Sequence, residues 1–235
     1  SQANVQMGIR VNMETKKTSL YQLHCDSKAK FVEFAGYQMP IQYTDGIVEE
    51  HKFTRSHSGI FDVSHMGQLF IYGDDNLIED LEKIFPLDLK SLKLNHSKYS
   101  FLMNDGAGIY DDLIVTKIDT GFLIILNAAC KQNDFKILST LLNKKYKMVL
   151  DEKRSLIAIQ GPKSVQILNN IISGVEELSF MSGNWFLFQE QKIYITRSGY
   201  TGEDGFEVSI LNEYAEKFTK KLIEKGAKLI GLGAR

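Results

Sequence analysis

Hydrophobic positions along this chain follow two spacings, one suited to helices and one to strands. In NLIEDLEKIF, Leu77, Ile78, Leu81, Ile84 and Phe85 recur at three- and four-residue intervals, which predicts an amphipathic helix. KQNDFKILSTLLNKK, KSVQILNNI and EYAEKFTKKLIEK predict three more. TSLYQLHC reads as a short helix capped by Thr18 or Ser19, and DGIVEEHKFTRSHSG as a longer one stopped by Gly59. Alternation takes over in KFVEF, where Gly36 and Pro40 then break the chain into an irregular loop. IFDVSHMGQLFIYG alternates as one strand with one buried face. DDLIVTKI and FLIILNA predict a hairpin on Asp119-Thr120-Gly121, and KIYITRSG and GFEVSI a second around TGED. Hairpins mixed with helices predict an α+β fold of mainly antiparallel sheets flanked by helices.

Composition narrows the function classes. A chain of 235 residues, 43% hydrophobic and 24% charged, can bury a substantial core as one large domain or two small ones. Lys+Arg 28 against Asp+Glu 29 gives a net charge of -1, which argues against nucleic acid as a partner. No apolar run approaches the ~20 residues of a membrane-spanning helix, so no membrane partner is expected. Cys25 and Cys130 do not make a disulfide framework, and the expected compartment is the cytoplasm. Residues 1–16 read as a mobile tail.

Candidate chemistry is sparse. GAGIYD at 106–111 precedes a strand where a phosphate loop would precede a helix, and the glycines of 199–205 also run into a strand. His24, His51, His57, His65 and His96 form no ligand motif, so no metal is expected. The carboxylates say more. Asp111 and Asp112 open the apolar run Leu113-Ile114-Val115, and alternation sends them to opposite faces. Asp112, sharing a face with Ile114 and Thr116, reads equally as a solvated strand end or as a ligand group. Glu207 lies opposite Phe206 and Val208, facing solvent or a cleft. Tyr99, Phe101, Tyr110, Tyr200 and Phe206 lie near these segments and serve either core packing or a planar aromatic ligand.

Seven strings in order, FAGYQMPIQY, EEHKFTRSHSGIFDVSHMGQ, GIYDDLIV, AIQGP, FMSG, RSGYTGEDGFEV and GLGAR, carry a resemblance over about Lys17 to Arg235. Together they resemble the T-protein of the glycine cleavage system, a tetrahydrofolate-dependent aminomethyltransferase of glycine catabolism and one-carbon metabolism. The resemblance implies transfer of a methylene group from an aminomethyl-dihydrolipoyl arm, borne on a lipoylated H-protein, to tetrahydrofolate, with release of ammonia and formation of 5,10-methylenetetrahydrofolate. It implies folate as co-substrate, no metal, and a mitochondrial matrix location in a eukaryote. By the same resemblance Asp112 is the catalytic carboxylate and Glu207 the group on the pterin's amino edge. Met66, Tyr99, Ile114 and Tyr200 line the pocket, Arg235 lies near bound folate, and Asn127 is a further contact. The domains implied are 1–66 with 154–235, interrupted by an inserted 67–153, and a further C-terminal domain of the family is not in the sequence. Folate-dependent demethylases of the same scaffold, and a folate-binding protein of iron–sulfur assembly, are the alternatives. The SHMGQ, DDLIV and GYTGEDG strings favour the T-protein.

Overall fold

Runs such as Phe122-Leu-Ile-Ile-Leu126 and Leu156-Ile-Ala-Ile159 are buried on both faces, so a sheet built from them must be covered on both sides. The structure, a computed structural model, describes residues 14–103, 109–198 and 204–235. In chain order these form α1 (Tyr21–Asp26), β1 (Lys30–Phe34), β2 (Tyr37–Gln42), α2 (Gly46–Ser56), β3 (Gly59–Asp62), β4 (Gly67–Tyr72) and α3 (Asp75–Glu82). There follow β5 (Ser97–Met103), β6 (Ile109–Ile118), β7 (Gly121–Leu126), α4 (Lys131–Leu141), β8 (Lys147–Leu150), β9 (Arg154–Gln160) and α5 (Ser164–Asn169). The last are β10 (Ser182–Phe188), β11 (Gln191–Arg197), β12 (Gly205–Leu211), α6 (Asn212–Glu224) and β13 (Lys228–Leu229).

The strands make a six-stranded sheet, β10-β11-β12-β9-β3-β13, a five-stranded sheet, β5-β6-β7-β4-β8, and the β1-β2 ribbon. Every pairing among them is antiparallel except β13 on β3. Side-chain alternation sorts the apolar residues into three layers. Ile157, Ile159, Phe206 and Val208 pack beneath α1, α5 and α6 through Leu23, Leu168 and Phe218. Leu69, Leu113, Val115 and Ile124 pack beneath α3 and α4 through Leu77, Leu81 and Leu138. Between the sheets lie Phe61, Phe70, Leu123, Ile125, Leu156, Ala158 and Tyr194. The order is therefore helices, sheet, sheet, helices, and no described helix is long and apolar enough to cross a membrane.

Four local expectations are corrected. The alternating stretch around DVSHM is two strands in two different sheets, because the Ser64 amide donates to Asp62 Oδ1 at 3.0 Å and turns the chain out of β3. Pro40 lies inside β2, which is tolerated because a two-stranded ribbon leaves outward edges without partners. Thr18 does not cap α1; its hydroxyl donates to Asp62 Oδ2 at 2.6 Å. Gly59 does not end α2, which stops at Ser56; a Cβ there would meet Thr54 Oγ1 at 2.6 Å, so glycine permits β3 to lie close to α2. Of the tail expected over 1–16, residues 1–13 lie outside the described residues, and Lys16 exchanges backbone hydrogen bonds with Gly36 and Gln38.

Two buried acidic groups tie these layers together. Asp62 accepts from Thr18 Oγ1, the Ser64 amide and His24 Nε2, the last at 2.8 Å, while Tyr43 Oη lies 2.8 Å from His24 Nδ1. The His24 ring thus links Asp62 to Tyr43 through its two nitrogens. Burial by itself would raise the Asp62 carboxyl, but the hydrogen bonds from His24, Ser64 and Thr18 hold it below the ordinary carboxylate range. Asp111, at the start of β6, and Asp134 on α4 are both buried, and Asp111 is the group that acts on the Asp134 carboxyl. Burial, then Asp111, pushes Asp134 up to about 8.

These groups predict opposite pH responses. Asp62→Ala should cost about 3 kcal/mol at neutral pH, since a buried carboxylate with three donors is lost, as read by urea unfolding. The Asp62 contribution is complete above about pH 4, the unfolded value, and fades as pH falls below it. Asp134 runs the other way: the native state keeps a proton that the unfolded chain releases near pH 4, so stability falls by up to about 1.4 kcal/mol per pH unit between about pH 4 and pH 8. Asp134→Asn should flatten that slope, and an unchanged slope would exclude a proton held by native Asp134.

Candidate functional site

Alternation along β6 places its two aspartates on opposite sides of the five-stranded sheet. Asp111 is buried toward α4, whereas Asp112 is exposed and shares the inter-sheet face with Ile114. Ile114 pairs with Tyr99 on β5 and with Ile125 on β7, and Asp112 pairs with Phe101. Extending the β6–β7 register by two residues sets Asn127, one residue past β7, opposite Asp112.

The facing sheet contributes a cross-strand row. Thr196, Glu207, Ala158 and Phe61 are successive register partners across β11, β12, β9 and β3. Glu207 is 5% exposed. With Ile114, Ile125, Thr116, Leu156 and Ser198 it lines a narrow cleft whose cavity volume is only about 20 Å³. The Tyr99 phenol is raised from its ordinary value by burial and then by the charge of Glu207. Aliphatic side chains mixed with hydroxyls and one carboxylate suit a ligand with a flat apolar part and a hydrogen-bonding edge.

Ile114 and Glu207 are thus brought together, with Tyr99 beside Ile114 on β5 and with Asp112 and Asn127 further along β6 and past β7. Met66 packs on the inter-sheet layer but lines a neighbouring pocket of about 300 Å³ with Tyr37, Gln68, Lys131 and Arg154. Arg235 lines a third small cleft with Phe61, Val63, Ala158 and Gln160. Because Ala158 is the cross-strand partner of Glu207, this cleft lies one strand away from the first. Tyr200 and the glycines at 199 and 202 lie outside the described residues, as do 106–108 of the GAGIYD string. Among the described residues, Arg197 Nε and Nη2 donate to Asp204 at 2.9 and 2.6 Å.

Sequence reasoning passed over two basic groups beside these clefts. Lys131 Nζ donates to Tyr37 Oη at 2.8 Å and to the His65 carbonyl at 2.9 Å, and burial pushes the amine down to about 8. His65 is 1% exposed, between the rings of Phe34 and Tyr37. Burial takes it down to about 4; Asp62 opposes this, while the charges of Lys131 and Arg235 reinforce it. A signal was present for Lys131: it shares the buried stripe of α4 with Asp134 and Leu138, so polar residues occupy positions where a helix normally turns aliphatic ones inward.

Comparisons with known proteins agree with this architecture. Residues 20–235 match the model described as the GCVT N-terminal domain. The mitochondrial aminomethyltransferase of Dictyostelium discoideum is 38% identical over 240 residues, covering 94% of this chain and 59% of that protein. A probable mitochondrial aminomethyltransferase of Schizosaccharomyces pombe is 42% identical over 227 residues, 94% of this chain and 58% of that protein. The crystal structure of glycine cleavage system aminomethyltransferase T from Bartonella henselae superposes with a TM-score of 0.85 at 39% identity, over 93% of this chain and 60% of that one. A chain of a heterotetrameric sarcosine oxidase from Corynebacterium shares the fold, with a TM-score of 0.57 at 11% identity. The chain therefore spans about 60% of the length of these aminomethyltransferases. With its match running through both sheets, the chain belongs to the family of GCVT N-terminal domains.

Proposed function

We propose that this chain carries the folate-binding and methylene-transfer site of a tetrahydrofolate-dependent aminomethyltransferase of glycine cleavage. The observation that carries this reading is Glu207, a carboxylate buried in a cleft between the sheets that mixes Ile114, Ile125 and Leu156 with the hydroxyls of Thr116, Thr196 and Ser198, with Asp112 two residues from Ile114 on the same face of β6. A pterin offers a flat ring for Ile114 and Ile125 and an amino edge for Glu207. The names of the relatives support the reaction class.

In this reading, tetrahydrofolate N5 attacks the methylene carbon of an aminomethyl group held on the sulfur of a dihydrolipoyl arm. The C–N bond to ammonia and the C–S bond to the arm both break. The carbon becomes the bridge between N5 and N10, and the two folate protons leave on ammonia and on the thiol. Cationic iminium character develops at the carbon between these steps, and Asp112 at the cleft mouth stabilises it electrostatically. An H-protein carrying the lipoyl arm is the donor, reaching the mouth from solvent. The five-stranded sheet is built wholly from residues within 67–153 and the six-stranded sheet wholly from residues outside it, which supports reading 67–153 as a unit inserted into the first domain.

With the chain carried to the full length of its relatives, Asp112→Asn should lower turnover about a hundredfold or more while tetrahydrofolate binding is largely kept. Ammonia release from aminomethylated H-protein gives the rate, and an active variant would remove Asp112 from the chemistry. Glu207→Ala should act on affinity, weakening tetrahydrofolate binding about tenfold or more through loss of a charge-assisted hydrogen bond. Unchanged affinity by calorimetry would remove the pterin contact.

A further inference from the structure

The EEH string of α2 enters none of the roles above, yet it grips the segment that ends at Arg235. Glu50 is 3% exposed, and its two carboxylate oxygens are spent on two backbone donors far apart in sequence. Oε2 accepts from the Tyr43 amide at 2.9 Å, and Oε1 accepts from the Gly231 amide at 2.8 Å. Next to it, His51 Nδ1 lies 3.1 Å from the Ala234 carbonyl, which it reaches as a donor. The segment between these two anchors fits closely. A Cβ on Gly231 would meet the Ile41 carbonyl at 2.2 Å, and one on Gly233 would meet Ile47 at 2.7 Å. The turn Leu232–Ala234 is thereby held at both ends, and Arg235 leaves it into the cleft of Phe61, Ala158 and Gln160.

A buried carboxylate bonded only to backbone amides is an expensive way to hold a turn unless the turn must hold something else. We propose that Glu50, assisted by His51, is a positioning residue for Arg235: its two backbone hydrogen bonds fix the Gly231–Ala234 turn so that the guanidinium stands one strand from Glu207, where it meets an anionic or carbonyl group of the bound folate. The binding half of this inference rests on the function proposed above. The geometric half does not, because His65 senses Arg235 without any ligand. The charges acting on His65 are those of Asp62, Lys131 and Arg235, and only the last is carried by the clamped turn.

The test reads both halves. Tetrahydrofolate affinity is measured by titration, and His65 titration by NMR of its ring carbon protons, in Glu50→Gln, Arg235→Ala and the double variant. Glu50→Gln keeps the shape but turns an amide N–H toward a backbone N–H. It should weaken folate binding about tenfold and move the His65 transition upward, as removal of a nearby positive charge requires. In the Arg235→Ala background neither quantity should change further, because the effect of Glu50 passes through that arginine. His51→Ala, which alters no buried charge, should give the same coupling at smaller size and serves if Glu50→Gln does not fold. A variant that lowers the melting temperature but leaves folate affinity and His65 as in the wild type would reduce Glu50 to a structural role. So would an equal loss of affinity with and without Arg235. A wild-type protein that does not bind tetrahydrofolate overturns the functional reading and the binding half together; an unchanged His65 titration in Glu50→Gln overturns the clamp itself.

Discussion

Two sheets that are apolar on both faces have to share one of those faces, and that constraint organises this molecule. Each outer face is covered by helices, so the inner faces have only each other. The shared layer is largely apolar: Phe70, Leu123 and Ile125 from one sheet pack with Leu156, Ala158 and Tyr194 from the other. Where β6 meets β12 the composition changes, and Thr116, Thr196, Ser198 and Glu207 face inward beside Ile114. Polar groups there prevent the two sheets from closing completely. The cleft is therefore a consequence of patterning: a short polar stretch in an interface that is otherwise hydrocarbon.

Much of this was readable in the sequence, and the boundary of what was readable has physical causes. The separation of Asp111 from Asp112 followed from the two-residue period of a strand, and the structure has one beneath α4 and the other on the inter-sheet face. α3 was visible because Leu77 and Leu81 follow a helical period and are fully buried. The division of IFDVSHMGQLFIYG was not visible, because Asp62 and Ser64 continue the apolar–polar alternation while their side chain and amide close a turn across it. Alternation reports which residues are inside; it does not report which sheet they are inside. The strand positions of β5, β8 and β10 were likewise unmarked, since none of them alternates exposed and buried residues with a clean period.

The groups around the cleft were harder to find because their partners are distant in sequence. Glu50 bonds a residue 181 positions away, and Lys131 bonds the His65 carbonyl 66 positions away. Nothing local distinguishes Glu50 from the exposed Glu49 beside it. A resemblance carried by whole strings could point to Arg235, because it compares positions; it could not say what holds Arg235 in place.

That support is of one kind throughout. Asp62, Glu50 and Asp134 are buried acids, and none is neutralised by a lysine or arginine in the described structure. Asp62 takes hydroxyl, imidazole and amide donors, Glu50 takes two backbone amides, and Asp134 is raised by burial and by Asp111 so that it keeps its own proton. Directional donors fix an oxygen to within a few tenths of an ångström, whereas a long flexible cation satisfies it from many positions. Each of these acids joins elements that the hydrophobic layers alone would leave free to slide: the N-terminal helix to β3, the C-terminal turn to α2, and α4 to the strand that carries Asp112. Apolar packing brings the two sheets together; the buried acids set the register in which their polar rows face each other.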